Sequence, residues 1–326
     1  MHRIALGNTV FEGNNDAYLF VGESTVLLDT GVAVGEARED LAAGLADRGV
    51  TFADVDAVVL THYHADHSGL AGEIQAESGA PVYAHAADAP LIAGDADAWA
   101  DLEATQRRLF EEWGMPEDAR EELLTFFEAG EGIYGDPVDV TPVADGETLS
   151  FGDLELEVLH APGHTAGLCC FVPTDGNEVF TGDALLPKYT PNVGGADVRV
   201  DRPLERYVRT LETLADRGFD RAWPGHRDPI DDPSARAREI VAHHEERAYR
   251  VLSALAEGGP ADAWTVSARL FGDLENIHIL HGPGEAHAHL EHLVRTGDVE
   301  RDGDGYRIAD GIAERLAVLD GERWPL

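Results

Sequence analysis

The chain of 326 residues has one lysine, Lys188, two methionines and two cysteines. The cysteines, Cys169 and Cys170, are neighbours, so no disulfide can brace distant segments. No apolar run approaches the roughly 18 residues that span a bilayer, and Met1-His2-Arg3-Ile4 does not have the form of a signal peptide. A cytoplasmic protein without a membrane anchor is therefore expected. Positive charge is scarce altogether: 24 Lys plus Arg face 62 Asp plus Glu, a formal net charge of −38. Such a surface is poorly suited to polyanions and well suited to high salt, where screening over a few ångströms relieves self-repulsion. Acid excess together with lysine scarcity gives a halophilic composition; a GC-rich genome would explain the arginines alone. What is abundant is ordinary for a folded chain, with 44% hydrophobic and 26% charged residues.

The hydrophobic pattern changes character three times. From Arg3 to His85 short strands alternate with helices: strands at 3–6, 17–21, 25–29, 56–60 and 82–85, turns at Gly13-Asn14-Asn15 and Gly22-Glu23, and a helix at 34–48 stopped by Gly49. A second helix runs from the histidines near position 64 to Ser78. Residues 87–135 read as an acid-rich helical insertion in which Trp99, Trp113, Phe126, Phe127 and Tyr134 stand ready to form a lid, a pocket wall or a packing surface. Strands return at 154–159, 168–172 and 178–180, followed by a helix at 204–216 and a last strand at Ala222-Trp223. Alternation of this kind predicts a layered α/β domain over residues 1–230. Residues 231–326 read as helices at 234–256, 266–271 and 285–295 and a hairpin turning at Asp302-Gly303-Asp304-Gly305, the pattern of a winged-helix module.

Chemistry is concentrated directly after the strand at 56–60, in Thr61-His62-Tyr63-His64-Ala65-Asp66-His67. His62 and His64 are two apart and point to one side of extended backbone, while Asp66 and His67 fall where the chain turns into a helix. That geometry favours two adjacent metal ions over one. Three further candidates each follow a strand end: His164 after Pro162-Gly163, Asp183 after Thr181-Gly182, and His226 after Pro224-Gly225. Strands side by side in a sheet would bring all of them to one edge, giving five His and two Asp, enough for two borderline ions with open positions.

These motifs, HYHADH, PGHT, TGD and PGH, resemble those of the metallo-β-lactamase-fold hydrolases over roughly residues 1–230. The resemblance implies an αββα sandwich with the site on one edge of its two sheets. It assigns His62, His64 and His164 to a first metal, Asp66, His67 and His226 to a second, and Asp183 to a bridge, with Asp29 of Leu28-Asp29-Thr30-Gly31 as a buried supporting acid. Retaining Asp66 beside both His64 and His67 is similar to the glyoxalase II-like branch. Two Zn2+ are the expected cofactors, with Fe or Mn compatible with the same ligands. Such a pair acidifies water towards neutrality, so hydrolysis without a Ser or Cys nucleophile is expected, with Asp66 or Asp183 orienting the water or passing a proton. Lys188, Tyr189 and Asn192, shortly after Asp183, are candidates for substrate contact.

The expected substrate is a small ester-like molecule, a hydroxyacyl-thiol thioester first, with a lactone close behind. A metal-dependent endoribonuclease or phosphodiesterase is the alternative suggested by the tail, which looks like the winged-helix tail of one subgroup of the same family. An iron-dependent sulfur dioxygenase, using a similar cluster with one iron, is the third. Over residues 231–326 the tail carries 19 acids and 10 arginines, and its hairpin tip is acidic. Nucleic acid is therefore not the expected partner, and the tail reads as a packing or homodimerisation element. His278, His281, His287, His289 and His292 read as a solvated helix face, and His243-His244 as structural.

Overall fold

A computed structural model describes residues 1–7, 14–129, 132–319 and 321–326. The first part of the turn expected at Gly13-Asn14-Asn15 lies outside the described residues. The chain runs through β1 (His2–Leu6), β2 (Asn15–Val21), β3 (Thr25–Leu28), α1 (Gly35–Ala46), β4 (Ala57–Val59), α2 (Ala65–Ser68), α3 (Ala71–Ser78) and β5 (Val82–His85). Three helices follow, α4 (Ala89–Ile92), α5 (Ala96–Glu112) and α6 (Glu117–Ala129). Then come β6 (Val140–Val143), β7 (Thr148–Phe151), β8 (Leu154–His160), β9 (Cys169–Pro173), β10 (Glu178–Gly182), α7 (Pro203–Arg217) and β11 (Arg221–Pro224). The last part comprises α8 (Pro233–Gly258), α9 (Ala263–Phe271), α10 (His278–Thr296), β12 (Val299–Asp302), β13 (Gly305–Ile308) and α11 (Ile312–Val318).

The strands form a six-stranded sheet in the order β1-β2-β3-β4-β5-β6 and a five-stranded sheet in the order β11-β10-β9-β8-β7. Side-chain alternation along each strand divides the core into layers. Tyr18, Val26, Leu28 and Val59 from the first sheet meet Val158, Cys169, Phe171 and Phe180 from the second in one apolar cluster between the sheets. Their sequence neighbours Leu19, Leu27 and Val58 face the opposite way, towards Leu41 of α1 and Ile74 of α3. On the far side of the second sheet, Cys170 and Val179 pack on Leu211 of α7 and Ile240 of α8. The result is helix, sheet, sheet, helix, with the two cysteines, both buried and free, serving opposite faces of one strand.

The insertion is not a detached lid. Leu91, Ile92 and Leu102 belong to the core outside the first sheet. Leu109, Phe110, Trp113, Met115 and Leu123 instead share a core with Val251, Leu255, Val266, Leu290 and Tyr306 from the final hundred residues. Trp113 is buried completely there, and its carbonyl accepts from the Trp264 amide at 2.8 Å. Among the described residues no helix is long and apolar enough to cross a membrane.

Besides β6, β7 and α11, where the sequence reading places no element, two stretches differ from it. The expected helix up to Ser78 is divided into α2 and α3, and α10 begins at His278 rather than 285 despite Gly282-Pro283-Gly284 inside it. Those small residues admit a neighbour: a Cβ at Gly284 would stand 2.3 Å from Gly195 Cα, so the loop after β10 lies directly on this helix.

Candidate metal centre

The site is built from strand ends. β4 delivers Thr61 to His64 and α2 then turns Asp66 and His67 back towards them, while β8, β10 and β11 end just before His164, Asp183 and His226. All seven residues come together, and six are buried, with His64 half-buried. His62 Nε2 and His164 Nε2 converge on His64 Nδ1 at 3.0 and 3.1 Å. On the other side His226 Nε2 lies 3.3 Å from Asp66 Oδ2. Asp183 lies between the halves, 3.8 Å from His164 Nε2, 3.5 Å from His67 Nε2 and 3.5 Å from His226 Nε2. The backbone has to pass close by: a Cβ at Gly225 would stand 2.5 Å from His67 Cε1 and 2.6 Å from Asp183 Oδ1. This accounts for the glycine of Pro224-Gly225-His226.

The ring orientations are set by hydrogen bonds behind the site. His67 donates through Nδ1 to Asp29 Oδ2 at 2.9 Å, leaving Nε2 aimed inwards. The same Asp29 accepts from the Thr61 amide at Oδ1 and from Thr61 Oγ1 at Oδ2, both at 2.8 Å. With its one proton given to Asp29, the Thr61 hydroxyl accepts from His62 Nδ1 at 3.0 Å. One carboxylate thus fixes the tautomer of two histidines, one directly and one through a hydroxyl. Asp29 itself adopts φ of 57°, a left-handed conformation unusual outside glycine. His164 donates from Nδ1 to the Asn192 carbonyl at 2.9 Å, and Asn15 Nδ2 donates to Asp66 Oδ2 at 3.1 Å.

Electrostatics divides the site in two. Burial and the neighbouring His164 hold His64 down to about 3, and burial and His67 hold His62 far below its usual value, so both present lone pairs. In the other half burial opposes the charges but loses to them. Asp183, Asp66 and Asp29 push His67 up to about 10, and Asp183 and Asp66 raise His226. His67 and His226 in turn keep Asp66 and Asp183 below the usual carboxylate range. Buried carboxylates that draw protons onto neighbouring imidazoles mark a place that needs positive charge. His67 Nε2 and Asp183 Oδ1, both buried, have no hydrogen-bond partner among the described residues. Donor atoms from His62, His64 and His164, and from Asp66, His67 and His226, lie within 4.8 Å of one another in each set. The residues present therefore fit divalent metal ions, with N and O donors suited to zinc, iron or manganese.

A polar clamp that no sequence motif announces holds the ligand-bearing loops together. Arg199 donates to Asp88 Oδ1 and Asp197 Oδ2, both at 2.7 Å, and the two carboxylates are completely buried. Asp88 accepts from the Tyr63 amide, between two ligands, and from Thr165 Oγ1, next to His164. Asp197 accepts from the Ala166 amide at 2.8 Å, and the Arg199 guanidinium covers the Tyr63 ring at 4.7 Å.

The three candidates for substrate contact are placed differently from the seven. Asn192 holds its own loop: Oδ1 accepts from the Gly195 and Ala196 amides and Nδ2 donates to the His281 carbonyl of α10. Lys188 and Tyr189 are exposed, with Lys188 Nζ over the Tyr189 ring at 5.4 Å, and that ring also faces Arg227. Among the described residues neither touches the histidine cluster. The His-rich segment of α10 is not a solvated face: His289 is fully buried, donates from Nδ1 to the Glu285 carbonyl, and meets His244 Nδ1 at 3.3 Å.

The model of the metallo-beta-lactamase superfamily matches residues 10–226, and the chain belongs to that superfamily. It is a metal-dependent hydrolase. A metallo-beta-lactamase family protein from Thermus thermophilus, TTHA1429, superposes with a TM-score of 0.81 at 32% identity, covering 94% of this chain and 98% of that one. The probable metallo-hydrolase YqjP of Bacillus subtilis strain 168 is 28% identical over 293 residues, 86% of this chain and 88% of its own. TTHA1623, solved in a di-iron-bound form, has a TM-score of 0.51 at 26% identity, covering 73% of this chain and 98% of that one.

Proposed function

We propose that the chain hydrolyses a small thioester of the hydroxyacyl-thiol kind, using two zinc ions. His62, His64 and His164 would hold one ion, Asp66, His67 and His226 the other, and Asp183 both. The observation that carries this reading is the pair of convergent donor sets with tautomers fixed from behind by Asp29, Thr61 and the Asn192 carbonyl. Bound there, two divalent ions supply Lewis acidity for the scissile carbonyl and a water acidified to near neutrality. Asp66, anchored at Oδ2 by Asn15, or Asp183 would orient such a water or pass its proton. Asp183 keeps the two halves of the site in register, and the clamp of Asp88, Asp197 and Arg199 holds the loops that carry His62, His64 and His164. No serine or cysteine nucleophile enters, since Cys169 and Cys170 are buried within the sandwich.

A lactone offers the same carbonyl chemistry and is the second reading. A nuclease is opposed by charge: the winged-helix-like tail presents an acidic tip at Asp302 and Asp304, and its Arg301 and Arg307 are paired with Glu291 and Glu300. Bound metal measured by mass spectrometry, followed by parallel assays at high and low salt, tests the proposal. The substrates are S-lactoylglutathione-type thioesters, lactones, bis-p-nitrophenyl phosphate and short RNA. Two metal ions per chain and thioester turnover are expected. Turnover of RNA alone would overturn the proposal, as would a single iron with oxygen uptake.

A further inference from the structure

Against Ser68, the residue after His67, is a cavity of about 300 Å³ that none of the metal-ligand candidates lines. Its walls come from the insertion and from the loop at 132–137. Leu91 and Ile92 of α4, Trp99 of α5 and Phe127 of α6 give it an apolar lining, and Tyr134 closes one side. The near wall is Ser68, the residue after His67, whose hydroxyl donates to the Tyr63 and His64 carbonyls at 3.0 and 3.1 Å. The cavity is therefore joined rigidly to the backbone that presents the ligands.

Three features define what fits. The first is size: about 300 Å³ is twice the roughly 150 Å³ that accommodates a benzene ring in a protein interior. The second is shape. Trp99 donates its indole N–H to the Leu91 carbonyl, which satisfies its polar edge and fixes the ring. It then stands edge-on to Tyr134 with centroids 4.9 Å apart and to Tyr63 with centroids 6.2 Å apart, a row of aromatic faces leading towards His64. The third is charge. Among the described residues of the lining Asp136 is the one that carries charge, and none of them is lysine, arginine or histidine. A phosphate, or the carboxylates of a peptide thiol, would meet no cation there.

We propose that this cavity receives an apolar, ring-bearing group attached next to the scissile carbonyl. The preferred substrate is then a hydroxyacyl thioester of the mandeloyl type rather than the lactoyl type. The inference rests on the thioester reading for its substrate and on the cavity alone for its ring. Mandeloyl and lactoyl thioesters of N-acetylcysteamine differ only in phenyl against methyl, and their kcat/KM ratio in the holoenzyme reads the cavity. The ratio is expected to exceed tenfold and to fall at least fivefold in Trp99→Ala, which removes a wall, and in Leu91→Trp, which fills the space. Thermal melts confirm that each variant is folded. A ratio near one, or a ratio untouched by both variants, overturns the cavity assignment while leaving thioester hydrolysis standing. If neither thioester is turned over, the thioester reading fails, and calorimetric binding of mandelamide against lactamide decides the cavity. Tighter mandelamide binding that Leu91→Trp abolishes supports it, and equal affinities overturn it.

Discussion

Asp29 and His67, separated by 38 positions, are joined by a 2.9 Å hydrogen bond that leaves the imidazole Nε2 facing the cluster. Because Asp29 also orients Thr61, and Thr61 orients His62, this carboxylate acts on both halves of the site. Asp29→Asn places an amide NH2 where one of three donors now points, so at least one of those bonds is lost. Partners behind a metal ligand typically contribute 10–100-fold to metal affinity. A loss of that size is expected in competition with a chromophoric chelator, and an unchanged affinity would remove Asp29 from the supporting role.

Arg199 is the shared cation of two carboxylates that are completely buried. Arg199→Met leaves Asp88 and Asp197 facing each other without a cation, which costs on the order of 3 kcal/mol. Arg199→Lys restores the charge but not the forked geometry and recovers only part of the loss. Urea denaturation of the metal-free protein measures the effect directly, and a shift below about 0.5 kcal/mol would show that the clamp does not hold the loops.

Chelation tests the metal reading without reference to any substrate. Ions that bind the folded chain alone stabilise it by about 4 kcal/mol at a thousandfold excess over Kd. The melting temperature is expected to fall when metal is stripped and to recover on adding Zn2+, and His226→Ala is expected to bind less metal than the parent. Identical melts with and without metal would contradict the assignment.

The buried His289 gives a pH dependence of definite sign. Burial holds it down to about 3, against an ordinary 6.5. Between those values the unfolded chain binds the extra proton, so stability falls as pH drops below 6.5, by up to about tenfold in the folding equilibrium per pH unit. Comparing denaturation midpoints at pH 7.5 and 5, the acid loss is expected to shrink in His289→Asn. An equal loss in both proteins would place the acid sensitivity elsewhere.

The residues most legible in sequence were those whose spacing follows from strand geometry. His62 and His64 alternate on extended chain, and Pro-Gly or Thr-Gly before His164, Asp183 and His226 marks a strand end with backbone packed close. All seven meet in the structure. Edge strands were harder to read: β6 is four residues long and contains Pro142, and β7 is equally short. Neither was expected. The first half of α10 was hidden because Gly282-Pro283-Gly284 reads as a breaker, whereas here tertiary contact with Gly195 favours small residues. The clamp had no signal because Asp88 and Arg199 are 111 positions apart and become neighbours only through the fold. Lys188 stood out by rarity, and rarity says nothing about where a side chain points.

Gly284 of α10 rests on Gly195, and in that same loop the Asn192 carbonyl sets the ring of His164. The final hundred residues therefore reach the chemistry through this loop, by packing at Gly195 and by the Asn192 Nδ2 bond to the His281 carbonyl, with a further hold on the molecule through Trp113. Exchanging this tail for that of a relative would not be a modular graft. The donor helix would have to bring its own small-residue notch, or the recipient loop would have to be rewritten with it, so the two segments should be inherited as a unit.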